Sequence, residues 1–207
     1  MTFARLTLPA LLLALSACAP DVGEGRVAAT VSEPAPTTEA AAPTGRVLAL
    51  DVGASTVHAL GAKITATHPI AFDRWEGQLR AEGSELTSVE VTIHMDSLRA
   101  DIEDLTAHLK KADFFDVETF PTSRFASTSI VAKPGVDGAT HEVTGNLTMH
   151  GQTQRLTFPA TVSQTDGAMT ASTEFVIDRQ DFGIAYPGMP DDLIQDSVAL
   201  TIELVGR

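Results

Sequence analysis

Val89, Val91, Ile93 and Met95 alternate along the chain with Glu90, Thr92, His94 and Asp96. An apolar/polar period of two fits an extended strand with one buried face and does not fit a helix. The same rhythm recurs in Val143, Gly145, Leu147, Met149; in Leu156, Phe158, Ala160, Val162; in Met169, Ala171, Thr173, Phe175, Ile177; and in Val198, Leu200, Ile202, Leu204. Weaker rows near residues 47–51, 56–67, 72–81 and 123–132 bring the expectation to roughly eight or nine strands. The breaks between them, "EGSE", "KPGVDG", "HGQT" and "TDG", are short enough for antiparallel hairpins. A sheet of that size curls, splits or closes, and closure removes its exposed edges. The pattern therefore predicts an all-β antiparallel barrel, with a sandwich as the arrangement that alternation alone does not separate from it.

One stretch breaks the rhythm. "DIEDLTAHLKKADFF" sets Ile102, Leu105 and Leu109 at helical spacing, with acids in the first turn and Lys110-Lys111 towards the end, the charge order of a short amphipathic helix. Pro121 pushes Phe120 towards extended geometry, so a new strand is expected from about Ser123. Phe114, Phe115, Phe120 and Phe125 are four of the nine phenylalanines. Each is worth roughly 1.5–3 kcal/mol when buried, enough to pin the helix over one barrel end. There it either plugs the core or lines an entrance. "FGIAYPGMPDDLIQD", residues 182–196, is long for a hairpin connection, and such loops often carry function. Phe182 and Tyr186, with Met189, Leu193 and Ile194, either line a mouth or fold back over the barrel end.

The N-terminal part has a different composition. Residues 1–17 carry Arg5, an apolar run from Leu6 to about Leu15 and then small residues, the layout of a secretory signal. The run is too short for a spanning helix. Leu15-Ser16-Ala17-Cys18 resembles the lipobox of bacterial lipoproteins, which implies that Cys18 is diacylated on sulfur (palmitate or a similar chain) and becomes the mature N-terminus. A plain signal peptide with an incidental cysteine is the alternative. Several acyl chains, at about 0.8 kcal/mol per buried methylene, give stable anchoring. Residues 18–45, rich in Ala, Pro, Thr and Glu and lacking aromatics, read as a lipidated, disordered stalk, with a pro-segment or a docked arm as the alternatives. Residues 46–207 form the barrel domain. The expected location is the cell envelope, tethered to a membrane and facing the periplasm; Ala19 after the cysteine points to the outer membrane rather than the inner.

Charge and chemistry narrow the function. Cys18 is the sole cysteine, so no disulfide holds the fold. Removing residues 1–17 takes away Arg5 and no acid, and moves the formal charge from −13 to −14, which argues against nucleic acid or an anionic lipid surface as partner. No G-x-S-x-G, Walker loop, H-E-x-x-H or dinucleotide fingerprint occurs, and "HEVTG" at His141 lacks a second histidine. The histidines at 58, 68, 94, 108, 141 and 150 are scattered, without a pair at metal-ligand spacing on one element. No catalytic residue, metal or cofactor is expected. His108, Arg179 and Asp181 are read as a polar mouth or as structural anchors. Asn146-Leu147-Thr148 matches a glycosylation sequon, discounted beside a bacterial-type export signal.

"HLKKADFFDVETFPTSRFAST", "VTGNLTMHGQTQRLTFPATV", "IDRQDFGI" and the closing "DSVALTIELVG" together resemble the motifs of the YceI-like family of polyisoprenoid-binding, lipocalin-like periplasmic proteins, in the same order and over nearly the whole domain. Leu105-Thr106-Ala107-His108-Leu109 departs from the R-D-x-H-L found in many relatives. The resemblance implies an extended, eight-stranded lipocalin-like barrel that accepts a long isoprenoid tail, either a polyprenyl lipid or a quinone. Such a barrel is just wide enough to be filled by side chains or to hold one small ligand. The proposed inward rows contain only two Phe, and the chain is 5% aromatic, which favours open space. About ten buried methylene equivalents would contribute near 8 kcal/mol before ordering costs.

The expected ligand-facing residues are Val91, Ile93, Met95, Leu105, Leu109, Phe114, Phe115, Phe120, Phe125, Leu147, Met149, Phe158, Phe175, Phe182 and Tyr186. The expected function is a non-enzymatic envelope carrier that transports, stores or sequesters an apolar isoprenoid lipid. The alternatives are an envelope interaction or stress-related module with a filled barrel and, further off, a lipid hydrolase. Monomer and homodimer both stay open.

Overall fold

The computed structural model describes residues 20–34 and 45–207. Its strands are β1 (Thr30–Ser32), β2 (Arg46–Ala49), β3 (Thr56–Lys63), β4 (Ala66–Phe72), β5 (Trp75–Glu82), β6 (Glu85–His94), β7 (Leu98–Ala100), β8 (Thr122–Ala132), β9 (His141–Met149), β10 (Gln152–Thr165), β11 (Ala168–Asp178), β12 (Gly188–Met189), β13 (Asp192–Leu193) and β14 (Ser197–Gly206), with helix α1 (Glu103–Leu109) between β7 and β8.

The pairing is antiparallel and follows the order β2-β5-β6-β8-β9-β10-β11-β14-β3-β4-β7. β2 with β3, β4 with β5, and β6 with β7 are each one long run interrupted by a short kink. Counted this way, the molecule is an eight-run meander. It closes on itself: β14 pairs β3 from Glu203↔Thr56 to Ala199↔Leu60, and further down Leu50 bridges Gly206. There Asp51 N–H donates to Val205 O at 2.8 Å and Arg207 N–H to Ala49 O at 3.0 Å. The predicted barrel is the observed fold.

Local chemistry sets the register. His150-Gly151 and Asp166-Gly167 all have positive φ, the backbone that two-residue hairpin loops require, and they join β9 to β10 and β10 to β11. Two bulges change which residues face inward. Arg80 pairs Ser88 but Ala81 pairs Leu86, so Thr87 is the extra residue. Leu86 and Val89, three apart in sequence, are consequently both buried. A second shift falls between Ser127 and Ser129 and lets both Phe125 and Ile130 pack on the core. Gly145 has to be glycine for steric reasons: a Cβ there would lie 2.4 Å from the Phe125 ring.

Helix α1 is shorter than the expected span and ends at Leu109; residues 110–120 continue as turns, with Phe115 N–H bonded to Leu109 O at 3.1 Å. Thr106 fastens the helix: its Oγ1 accepts from Ala100 N–H at 2.9 Å and donates to Ile102 O at 3.0 Å. Helix and long loop lie at the same end of the barrel. At the opposite end Leu48, Leu79 and Met169, each at most 1% exposed, seal the bottom.

The expected stalk needs correction where it is described. Residues 20–34 lie against the barrel wall as a docked arm. Val22 is 1% exposed among Ala62, Val176 and Ala199, Arg26 Nε donates to Glu174 at 2.5 Å, and β1 pairs β10 from Thr30↔Thr157 to Ser32↔Arg155. Three backbone pairs and one buried valine outweigh the low apolar content that suggested disorder. Cys18 and the segments 1–19 and 35–44 lie outside the described residues.

Candidate functional site

The inward faces of the strands enclose a chamber of about 130 Å³. Its lining is almost entirely carbon: Ser123, Ser172 and Thr173 are the polar members, and no charged residue takes part. Eight of the expected ligand-facing residues line it, namely Val91, Ile93, Met95, Phe125, Leu147, Met149, Phe158 and Phe175. They converge because β6, β8, β9, β10 and β11 present alternate residues to the same axis.

A second chamber of about 250 Å³ lies under α1 and the long loop. Leu105, Leu109, Phe114 and Phe115 line it together with Ile70, Ile184, Ile194 and Val198. Phe72, at the end of β4, lines both chambers and stands between them. Neither chamber alone reaches the roughly 300 Å³ of an ordinary small-molecule pocket. The reason is aromatic: Phe158 and Phe175 stack with centroids 4.2 Å apart at 11°, and Phe125 tilts onto Phe158 at 5.7 Å. With Phe72, four phenylalanines narrow a lumen that the inward rows suggested was more open.

Three expected contacts fall elsewhere. Phe120 lies outside both chambers, its ring edge-on to His150 at 4.9 Å and over Gly151; Pro121 turns the chain so that this ring covers the hairpin. Phe182 is fully buried within the cluster holding Phe175 and Ile177, as packing behind the lining. Tyr186 covers the end of the upper chamber, 5.1 Å from the His108 ring and 5.2 Å from Phe114.

The polar residues act as anchors, and Arg179 also lines the upper chamber. Arg179, 5% exposed, donates Nε to Gln195 O at 3.0 Å, Nη1 to Ile184 O at 2.5 Å and Nη2 to Asp196 at 2.8 Å, so its fork ties both ends of the long loop together. Asp181 accepts from Gln154 through its backbone carbonyl at 2.8 Å. His108 Nε2 meets Asp113 at 2.7 Å.

Around the upper end, four carboxylates, three exposed and that of Asp192 half-buried, are held below the ordinary aspartate range by hydrogen-bonded partners: Asp73 by Arg99, Asp96 by Arg74, Asp113 by His108 and Asp192 by Lys63. These pairs brace the rim. Among the described residues, no group of three His, Cys, Asp or Glu is arranged to hold a metal ion.

Phe72, Val57, Leu86 and Ser123 were missed by the sequence reading. Phe72 precedes the polar Asp73-Arg74 break, and Leu86 is displaced by the bulge, so neither falls in a clean alternating row. The period-two signal reaches residues only where the ladder is regular.

The comparisons agree with this architecture. A "UPF0312 protein" of Pseudomonas putida is 33% identical over 112 residues, covering 50% of this chain and 56% of the relative. One from Pseudomonas fluorescens is 28% identical over 137 residues, covering 62% and 70%. The chain thus spans little more than half the length of the first of these curated relatives. Among solved structures, Burkholderia cenocepacia BcnA matches with a TM-score of 0.68 at 24% identity, over 76% of this chain and 99% of that one. A polyisoprenoid-binding domain from Saccharophagus degradans, implicated in plant cell wall breakdown, matches with a TM-score of 0.65 at 16% identity, over 79% and 99%. At these identities the structures establish a shared fold. The YceI-like domain model matches residues 48–206, nearly the whole barrel, and the chain belongs to the YceI-like family.

Proposed function

We propose that this protein binds an apolar, chain-like isoprenoid lipid, a polyprenyl compound or a quinone, inside its barrel, and that it acts by sheltering that lipid without chemical change. The carrying observation is the inner chamber, whose lining has no charged group and few polar ones. Such a space has nothing to offer a polar substrate and gains from each methylene it removes from water. A chain that turns Phe72 aside would run from the inner chamber into the upper one. The solved polyisoprenoid-binding domain of the same fold supports this choice of ligand.

The setting belongs to the same proposal. A signal at residues 1–17 and acylation of Cys18 would export the protein and tether it in the cell envelope, facing the periplasm. The docked arm would then hold the barrel close to its anchor.

The small volumes favour a second reading, an envelope interaction module with a filled barrel. Mass spectrometry of the organic extract of purified protein separates the two. A co-purifying prenyl lipid in stoichiometric amount is expected; repeated absence of any, with no uptake of added quinone, would favour the filled barrel.

A further inference from the structure

β10 and β11 are laddered only from Thr161↔Ser172 to Thr165↔Ala168. Towards the helix end both strands continue, but they part. The gap is entered by the chain's own arm: Ala28 bridges Val176 on one side and β1 pairs β10 on the other. Between the last ladder pair and the arm lies a window framed by Pro159, Ala160, Thr173 and Glu174. Pro159 has no N–H to extend the ladder, and the strands are joined there by Thr173 Oγ1 donating to Pro159 O at 2.6 Å.

Outside this window is a groove of about 500 Å³, and inside it is the apolar chamber. Ala160, Ser172, Thr173 and Ile202 line both, so the wall is one residue thick and mostly small side chains. The bottom is sealed by Leu48, Leu79 and Met169, and the top by the second chamber with its helix and loop.

Resting on the apolar-lipid reading above, we infer that the ligand enters sideways through the β10–β11 seam, tail first, and that its head stays in the outer groove. That groove selects the head. It carries Asp137, Glu174 and Glu203 against Arg26, and Arg26 is already ion-paired with Glu174. The remaining polar groups are hydroxyls such as Thr56, Thr161 and Thr201. An uncharged alcohol or quinone head fits this lining; a diphosphate meets like charge, which disfavours it.

Photo-crosslinking of the full chain tests the inference without altering the protein. A farnesol analogue with a diazirine beside its hydroxyl is expected to label residues 159–161 and 172–174, and the matching diphosphate to label them at least about tenfold more weakly. Labels confined to residues 102–115 or 184–194 would overturn the lateral entrance and leave lipid binding standing. Equal labelling by the diphosphate would overturn the head selection. No label that unlabelled farnesol can compete away would remove both the entrance and the binding reading.

Discussion

Phe158 on β10 and Phe175 on β11 stack face to face across the seam, centroids 4.2 Å apart at 11°, although their strands share no ladder at that level. The stack closes the inner wall where backbone pairing has stopped. It also sets the width of the chamber. Phe158→Ala should therefore lower stability by about 3–5 kcal/mol, the usual cost of emptying a buried aromatic site, measured by urea unfolding. The same variant should take up a bulkier apolar probe than the parent, because the void it leaves joins existing space.

Arg179 answers a packing problem: a long loop has to return over an apolar chamber, and its carbonyls at Ile184 and Gln195 need donors. Arg179→Met should cost about 2–4 kcal/mol, chiefly from stranded carbonyls. Asp196 is half exposed, so the ion pair itself contributes little. Arg179→Lys should recover only part of the loss, since a point charge cannot replace a planar fork. Urea unfolding of the three proteins checks the order.

The rim pairs set a pH dependence of definite sign. The Asp192 carboxylate is depressed by Lys63 and Thr65, so its contribution is fully present above the ordinary aspartate value of about 3.9 and is lost as pH falls through the lower folded value. Thr65 N–H donates to Asp192 at 3.2 Å and is a local reporter. Its amide shift should titrate with a midpoint below about 3.9 in the parent, and the transition should vanish in Asp192→Asn. A midpoint at or above the ordinary value would mean that the pair does not form in solution.

Val22 is the plug that holds the arm, buried among Ala62, Val176 and Ala199. Val22→Asp places a charge in that apolar site and should release residues 20–34, seen as faster proteolysis between Asp21 and Ser32. The barrel should keep its melting transition, since the eight-run closure does not pass through the arm. Equal proteolysis of parent and variant would show that the docked arm is not the resting state.

Much of this fold is legible in the alternation of Val89, Val91, Ile93 and Met95 and the rows like it, because a strand with one wet face has no other way to write its sequence. The helix is legible for the same reason at a different period. What is hidden is what departs from strict repetition. The extra residues at Thr87 and at Thr128 exchange faces within one strand. Phe72 belongs to a run broken by Asp73-Arg74, so its place between the chambers is not visible in the row. The arm is hidden because it sits within the Ala-, Pro-, Thr- and Glu-rich segment 18–45, which resembles disordered chain, and a three-residue strand is too short to show a period. Half of the expected ligand-facing residues still meet in the inner chamber, and the helix supplies four more to the upper one.

Trp75, the single tryptophan, is 6% exposed and packs in the cluster with Val89 and Val91, whose side chains line the inner chamber. Titrating the protein with a short-chain isoprenoid quinone, while following Trp75 fluorescence, asks directly whether that chamber receives a lipid. Saturable quenching at one quinone per chain, reversed by excess prenyl alcohol, is the predicted result. Quenching that rises linearly without saturation, as it does for free tryptophan in the same buffer, would contradict it.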